Sequence, residues 1–198
     1  MGLALKNREV TFTYKDYLTW NDPAERWELI DGIAYDMSPA PWTEHQRVSG
    51  DLEYAIRQFL KGKPCEVFHA PFDVRFPDQP DDHDEDVDTV VQPDVLVVCD
   101  PTKIDQKGVR GAPDWIIEIL SPRTTKKDWN EKFNLYEKNR VREYWLVDTS
   151  AQLVHQYRLN ESNKYELIKI CEKTDQAVSS VLEGFSVSLT EIFRNYLR

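Results

Sequence analysis

The sequence of 198 residues contains few cysteines and no long uncharged apolar run. A membrane-spanning helix needs about 20 consecutive apolar residues, so we expect no membrane span. The three cysteines, Cys65, Cys99 and Cys171, are too few and too widely spaced to predict a disulfide framework or a zinc site. We interpret all three as small buried apolar residues, which favours a reducing, cytoplasmic setting.

Basic residues are in the minority, since 25 Lys and Arg against 35 Asp and Glu give a net charge of −10. Nucleic-acid-binding proteins usually carry a basic surface, so the composition does not support that class. Much of the acidity is local, because seven acids and no Lys or Arg fall within residues 78–88. We interpret this segment as an exposed acidic loop. A calcium-binding role is the weaker alternative, because the glycine and the terminal glutamate of an EF-hand loop are missing.

The chain does contain the alternating apolar patterns of one mixed α and β domain. Two alternating runs flank Asp31-Gly32, the dipeptide typical of a tight β-hairpin. Residues 44–61 and 126–139 have helical periodicity. The remaining apolar runs predict strands, listed by range as 65–76, 90–100, 113–121, 142–148, 152–159 and 164–170, the last two forming an antiparallel pair in a C-terminal β-meander. The order predicts a single α/β or α+β domain over residues 1–198, with a sheet flanked by two main helices.

Two carboxylates stand in runs that are otherwise suited to burial. Glu118 lies in the middle of WIIEIL, and Asp94 follows Pro93 at the beginning of VLVV. An ionised group in such a run must be paired, neutralised or coordinated to a metal. If the two strands are adjacent, a divalent cation with oxygen ligands fits between the carboxylates. The alternatives are a strand-initiating turn for Asp94 and a buried ion pair with an arginine for Glu118.

Lys132 is the lysine that the helical phase places on the inward side of the second helix. At about 100° per residue it falls within the apolar stripe, whereas Lys127 points to the opposite side. A lysine that faces a core needs an anionic partner. Either Asp128, one turn earlier, or the strand carboxylates can supply it, so a purely structural ion pair remains the alternative to a site role.

Other polar residues have weaker signals. Glu28, in the first strand of the hairpin, suits cross-strand pairing and a site role equally. His45 projects onto the apolar face of the first long helix, where a histidine is more often a capping or core residue than a ligand. Asp73 and Arg75 share one strand face and are interpreted as surface or support residues. The six tryptophans are interpreted as packing residues rather than base-stacking platforms.

Several segments together resemble the Uma family of restriction-endonuclease-like proteins, a branch of the PD-(D/E)XK nuclease superfamily. The matching segments cover nearly the whole chain: YKDYL, WELIDGIAYDMSPAPWTEHQ, APFDVRF, VVQPDVLVVCD, GAPDWIIEILSPRT, KKDWNEKFNLYEKNRVREYWLVD and LEGFSVSLTEIF. The resemblance implies a restriction-endonuclease-like αβββαβ core with an N-terminal β-hairpin and a C-terminal β-meander. It also implies that Pro93-Asp94 is the PD element and that Glu118 is the (D/E) position.

One position departs from the superfamily pattern. The lysine expected two residues after the acid is replaced by Leu120. The resemblance implies that the following helix supplies the lysine instead, as Lys132, and that Glu28 is an additional acidic site residue.

The implied function is that of a divalent-metal-dependent endonuclease hydrolysing phosphodiester bonds in DNA. Asp94, Glu118 and the Ile119 carbonyl would bind Mg²⁺ or Mn²⁺, and the catalytic residues would be Asp94, Glu118, Lys132 and Glu28. The alternative is a non-catalytic binding or assembly module that retains the nuclease fold, because fold does not fix function. Exposed aromatic residues near the hairpin further predict a homodimer.

Overall fold

The computed structural model describes residues 11–20, 26–37, 42–121 and 128–194. The α-helices in these ranges are α1 (Tyr14–Tyr17), α2 (Thr43–Phe59), α3 (Phe133–Lys138) and α4 (Leu189–Ile192), and a π-helix (Asp128–Lys132) runs directly into α3. The strands are β1 (Trp27–Ile30), β2 (Ile33–Asp36), β3 (Glu66–His69), β4 (Val74–Arg75), β5 (Val90–Val91), β6 (Val95–Val98), β7 (Ile104–Asp105), β8 (Gly108–Arg110), β9 (Trp115–Leu120), β10 (Glu143–Asp148), β11 (Leu153–Leu159), β12 (Tyr165–Glu172), β13 (Gln176–Val178) and β14 (Ser186–Ser188). None of the helices described is both long and apolar enough to cross a membrane.

The larger sheet contains the predicted αβββαβ core. Its strand order is β12-β11-β10-β9-β6-β3. β3, β6 and β9 pair antiparallel, and β10 lies parallel to β9 after the crossover through the π-helix and α3. A parallel neighbour requires such a crossover. The prediction of a restriction-endonuclease-like fold is therefore confirmed.

The central strand β9 is buried on both faces, as its apolar sequence WIIEIL requires. Trp115, Ile117 and Ile119 pack towards α2, in a core with Val48, Leu52 and Ile56. Ile116 and Leu120 pack on the other face, in a core that includes Leu135 and Tyr136 of α3. Side chains alternate along a strand, so Glu118 lies on the α3 face. Leu120, at the expected lysine position, is a core residue.

The smaller sheet has the order β2-β1-β5-β4-β8-β7 and includes the predicted hairpin. β1 and β2 pair through Ile30 and Ile33, and both turn residues are left-handed, with φ of 47° at Asp31 and 71° at Gly32. This is the conformation that two-residue hairpin turns need. The hairpin carries Glu28 into the protein interior.

The predicted C-terminal β-meander is also present. β10, β11 and β12 are successive antiparallel neighbours, with a register shift between Gln156 and Tyr157. The separate pair β13 and β14 follows, and α4 closes the described chain.

The interpretation of all three cysteines as unpaired was wrong for two of them. Cys65 and Cys99 form a disulfide, and Cys171 is a buried free thiol. The reason is the strand pairing, in which Glu66 lies opposite Val98 and the flanking cysteines therefore face each other. Sequence spacing gives no indication of this register. The cytoplasmic setting, which rested on unpaired cysteines, stays a prediction.

The acidic segment 78–88 is mostly exposed, as expected, but several of its residues are anchored to the rest of the protein. Val87 is buried, and Asp84 forms an ion pair with the fully buried guanidinium of Arg75. Lys107 also bonds Asp84, at 3.0 Å, and Asp105 contacts Arg75 through both of its oxygens at 2.7 Å. Arg75 is thus the centre of a buried ionic network rather than a surface residue.

Replacing Asp84 with asparagine is expected to lower the free energy of unfolding by about 1–3 kcal/mol at pH 7. Arg75 would then lose one of its two carboxylate partners inside the protein. Burial raises the pKa of Asp84, but the bonds from Lys107 and Arg75 outweigh it and hold the pKa below 3.8. The stabilisation is therefore present above this ordinary value and is lost as the pH falls through the lower folded value.

Urea unfolding at pH 7 and in acid measures this effect. Asp81→Asn, a change at an exposed position of the same segment, serves as the control and should unfold like the wild type. Equal losses in the two variants at pH 7 would contradict a specific role for the Arg75 network.

Candidate active site

Strand register places the first two predicted site residues together. Val95, the first residue of β6, lies opposite Ile117 of β9, so Asp94 and Glu118 are the next residues along the two antiparallel strands. The charge of Asp94 is close enough to raise the pKa of Glu118. Asp94 also accepts a hydrogen bond from the Ile119 N–H through Oδ2, at 2.7 Å.

Lys132 lies at the centre of the predicted constellation. Its Nζ is 2.8 Å from Glu118 Oε1 and 2.8 Å from Glu28 Oε1. All three side chains are almost fully buried, with exposures of 1% for Lys132, 3% for Glu118 and 0% for Glu28. Lys132, which comes from the helical connection, therefore lies beside Glu118, where the superfamily pattern expects the lysine that Leu120 replaces. Of the two kinds of partner predicted for Lys132, the strand carboxylates are in direct contact with it, and the charge of Asp128 also raises its pKa.

Burial dominates the electrostatics of this cluster. It raises the pKa of Glu118 to about 8, against the lowering effect of Lys132, and the nearby carboxylates of Asp128, Asp94 and Glu28 raise it further. For Lys132 burial acts to lower the pKa, but the charges of Glu118, Glu28 and Asp128 raise it well above its usual value. The ammonium is therefore retained, and the carboxyl group of Glu118 has a raised pKa.

Tyr136 is a site residue that the sequence interpretation missed. Its hydroxyl donates a 2.6 Å hydrogen bond to Glu118 Oε1, the same oxygen that Lys132 contacts. A signal exists in the sequence, because Tyr136 follows Lys132 by one helical turn and neighbours it in phase. Helical phase alone does not separate this tyrosine from the packing residues of the apolar stripe.

His45 contacts a predicted site carboxylate, which its interpretation as a capping or core residue did not anticipate. Its Nε2 is 3.1 Å from Asp94 Oδ2. Burial lowers the pKa of His45, but the bond and charge of Asp94, the charge of Asp128 and the Ile119 backbone outweigh burial and raise it. Only the fold reveals this contact, because α2 and β6 are far apart in sequence.

The tryptophans follow the prediction in part. Trp115 and Trp145 are fully buried core residues, and Trp20 and Trp27 pack edge-to-face near the hairpin. Trp42, at the start of α2, is 71% exposed and is not a packing residue.

The donor set of the cluster suits a hydrated divalent cation. Within the described ranges, no three His, Cys, Asp or Glu side chains are arranged to hold a metal ion by themselves. Mg²⁺ is commonly held by only one or two carboxylates and keeps several waters. Asp94, directly before β6, and Glu118 on β9 are hard oxygen donors of this kind. They fit Mg²⁺ or Mn²⁺ held with water ligands.

Comparisons with known proteins agree with this architecture. A protein from Synechocystis sp., "Uncharacterized protein slr1290", is 25% identical over 182 residues, which span 91% of this chain and 90% of that protein. The crystal structure of a "putative nuclease belonging to DUF820" from Anabaena variabilis superposes with a TM-score of 0.70 at 22% identity. The match covers 92% of this chain and 97% of that one. It shows the shared fold.

A family model described as "Uma2: Putative restriction endonuclease" matches residues 14–190. This range contains both sheets and the whole buried cluster around Lys132. The chain therefore belongs to the Uma2 family.

Proposed function

We propose that this protein is a divalent-metal-dependent endonuclease that hydrolyses phosphodiester bonds in DNA. The observation that carries the proposal is the position of the Lys132 ammonium, 2.8 Å from Glu118 and 2.8 Å from Glu28. A further carboxylate, Asp94, is bonded to the Ile119 N–H, next to Glu118 on β9. An acid pair with a lysine is the set of groups that metal-assisted phosphodiester hydrolysis needs. Membership of the Uma2 family supports the same conclusion.

Asp94, Glu118 and the Ile119 carbonyl would hold the metal ion. When bound, Mg²⁺ or Mn²⁺ supplies Lewis-acid chemistry, lowering the pKa of a bound water and neutralising phosphate charge. The Ile119 N–H and His45 both contact Asp94 Oδ2. These two contacts orient the carboxylate, whose other oxygen, Oδ1, would help to hold the ion.

Lys132 would act on the attacking water and on the developing charge. An ammonium has three N–H donors, and two of them face Glu28 and Glu118. We assign the third to the water or to a non-bridging phosphate oxygen. Glu28 acts as the anchor that holds Lys132 at this position, and Tyr136 orients the Glu118 carboxylate.

Replacing Asp94 with asparagine tests the proposal. With Mn²⁺ or Mg²⁺ we expect the wild type to nick supercoiled plasmid DNA and Asp94→Asn to lose at least about 100-fold in rate. Isothermal titration should show weakened Mn²⁺ binding, because one of two carboxylate ligands becomes neutral. The matched control is Asp100→Asn. Asp100 lies just beyond the C-terminal end of β6, and its carboxylate caps a short 3₁₀ turn.

The control variant should bind Mn²⁺ and cleave DNA like the wild type. If the wild type binds no Mn²⁺, or binds it as Asp94→Asn does, the endonuclease proposal fails. A non-catalytic module that keeps the nuclease fold would then be the better description.

A further inference from the structure

Gln92 lies where the chain passes from the smaller sheet to the larger one. It directly follows β5 and precedes Pro93, Asp94 and β6. Its side chain is completely engaged, since Oε1 accepts from Arg26 at 2.9 Å and Nε2 donates to Asp73 at 2.9 Å and to the Tyr17 hydroxyl at 3.1 Å. A glutamine side chain has two N–H donors and one carbonyl acceptor, so each of these groups has a partner.

The main chain of the same residue reaches the site. The Gln92 N–H donates to Glu28 Oε1 at 2.9 Å, and that oxygen is also the one that Lys132 contacts at 2.8 Å. Two residues further on is Asp94, which directly precedes β6 and accepts a hydrogen bond from the Ile119 N–H. Proline at position 93 fixes one backbone dihedral of the short link between Gln92 and Asp94. The position of Gln92 is therefore transmitted to one site carboxylate by a hydrogen bond and to another through the chain.

The partners of the side chain come from three separate elements. Tyr17 is the last residue of α1, Arg26 directly precedes β1, and Asp73 directly precedes β4. Tyr17 also donates to Asp73 at 3.1 Å, which closes a ring of hydrogen bonds around the amide of Gln92. Groups that hold a ligand carboxylate or its neighbours in place typically change metal affinity or activity by about 10–100-fold when they are removed.

We propose that Gln92 is a positioning residue for the endonuclease reaction, locking Glu28 and Asp94 in place through its side-chain amide. The inference rests on the proposed function. Gln92 does not touch the reacting atoms in this role, and it acts on Lys132 only through Glu28. Its loss should reduce kcat and leave KM for DNA nearly unchanged, because the DNA-binding surface is not altered.

Amide hydrogen exchange tests the positioning step without any need for activity. The amide at position 92 reports its bond to Glu28, and the Ile119 amide reports its bond to Asp94 Oδ2. In Gln92→Met, we expect protection at both amides to fall about tenfold or more, after correction for intrinsic rates. Amides of β10 and β11 should keep their protection. The kcat for plasmid cleavage should fall about 10–100-fold.

Gln156→Met is the matched control. Gln156 is also a buried glutamine with a bonded side chain, donating to the Val178 carbonyl at 3.0 Å, but it lies on β11 away from the cluster. This variant should retain protection at positions 92 and 119 and retain kcat. Gln92→Glu keeps the acceptor for Arg26 and loses both donors, and it places a carboxylate beside Asp73. It should lose at least as much protection as Gln92→Met.

Three results would count against the inference in different ways. Unchanged protection at positions 92 and 119 in Gln92→Met overturns the positioning role, and so does lost protection with unchanged kcat. A uniform loss of protection across β10 and β11 overturns it as well, because it indicates general destabilisation. A wild type that cleaves nothing overturns the proposed function, while the amides still decide whether Gln92 positions the two carboxylates.

Discussion

Replacing Lys132 with methionine is expected to reduce DNA cleavage by at least about 100–1,000-fold, as the loss of one charge-stabilising donor does in other enzymes. Methionine fills a similar volume in the core, so lost packing does not explain the effect. The change removes the ammonium, whose Nζ lies 2.8 Å from a carboxylate oxygen of Glu28 and 2.8 Å from one of Glu118. Single-turnover cleavage at saturating Mn²⁺ and saturating DNA measures the loss.

The same change should destabilise the protein in a pH-dependent way. Removing one partner from a buried ion pair costs about 3–5 kcal/mol when the remaining charge is uncompensated. In Lys132→Met this cost should be large at pH 8 and smaller at pH 5, because Glu118, whose pKa is raised by burial, can then take up a proton. Urea unfolding of the metal-free protein at the two pH values gives the comparison.

Lys138→Met is the control for both measurements. Lys138 is the last residue of α3, which directly follows the π-helix of Lys132. Its side chain is 62% exposed and pairs with Asp31 and Asp78. Surface ion pairs of this kind contribute little to stability. Cleavage by Lys132→Met at the rate of Lys138→Met would remove Lys132 from the proposed machinery.

The second large effect is expected from Glu118→Gln in the absence of metal. Burial raises the pKa of Glu118 from 4.5 to about 8 in the folded chain. A carboxyl group with a raised folded pKa contributes stability that is fully present below its unfolded pKa and is lost as the pH rises through its folded pKa. The wild type should therefore lose stability between pH 5 and pH 8.5 relative to Glu118→Gln, which carries no ionisable group at this position.

The size of that relative loss follows from the shift, at about 1.4 kcal/mol for each pKa unit. We expect a change of a few kcal/mol, because the raised pKa already includes the lowering effect of Lys132. Urea unfolding in EDTA, performed on both proteins across this pH range, measures the difference. Parallel stability curves for the two proteins would contradict the raised pKa.

Much of the site could be predicted because its signals are local. Glu118 breaks an apolar run, and a carboxylate in a buried strand always needs an explanation. The hairpin that carries Glu28 is specified by Asp31-Gly32. The inward phase of Lys132 holds although residues 128–132 form a π-helix rather than the assumed α-helix.

The features that could not be predicted depend on contacts between distant parts of the chain. The Cys65–Cys99 disulfide requires the register of β3 and β6, and the role of His45 requires the approach of α2 to Asp94. Strand alternation alone indicates a surface position for Arg75, because it does not show that Asp84 and Asp105 cover the guanidinium. Residues 126 and 127, the first two of the predicted second helix, lie outside the described part of the chain.

The π-helix at Asp128–Lys132 has a consequence for how this protein tolerates changes in length. Surface connections usually accept insertions and deletions, but one residue removed from a helical turn rotates the rest of the helix by about 100°. Here the rotation would turn Lys132 away from Glu118, its partner 14 positions earlier. The number of residues in this segment therefore sets the direction of the Lys132 side chain, and it matters more than the identity of the exposed residues.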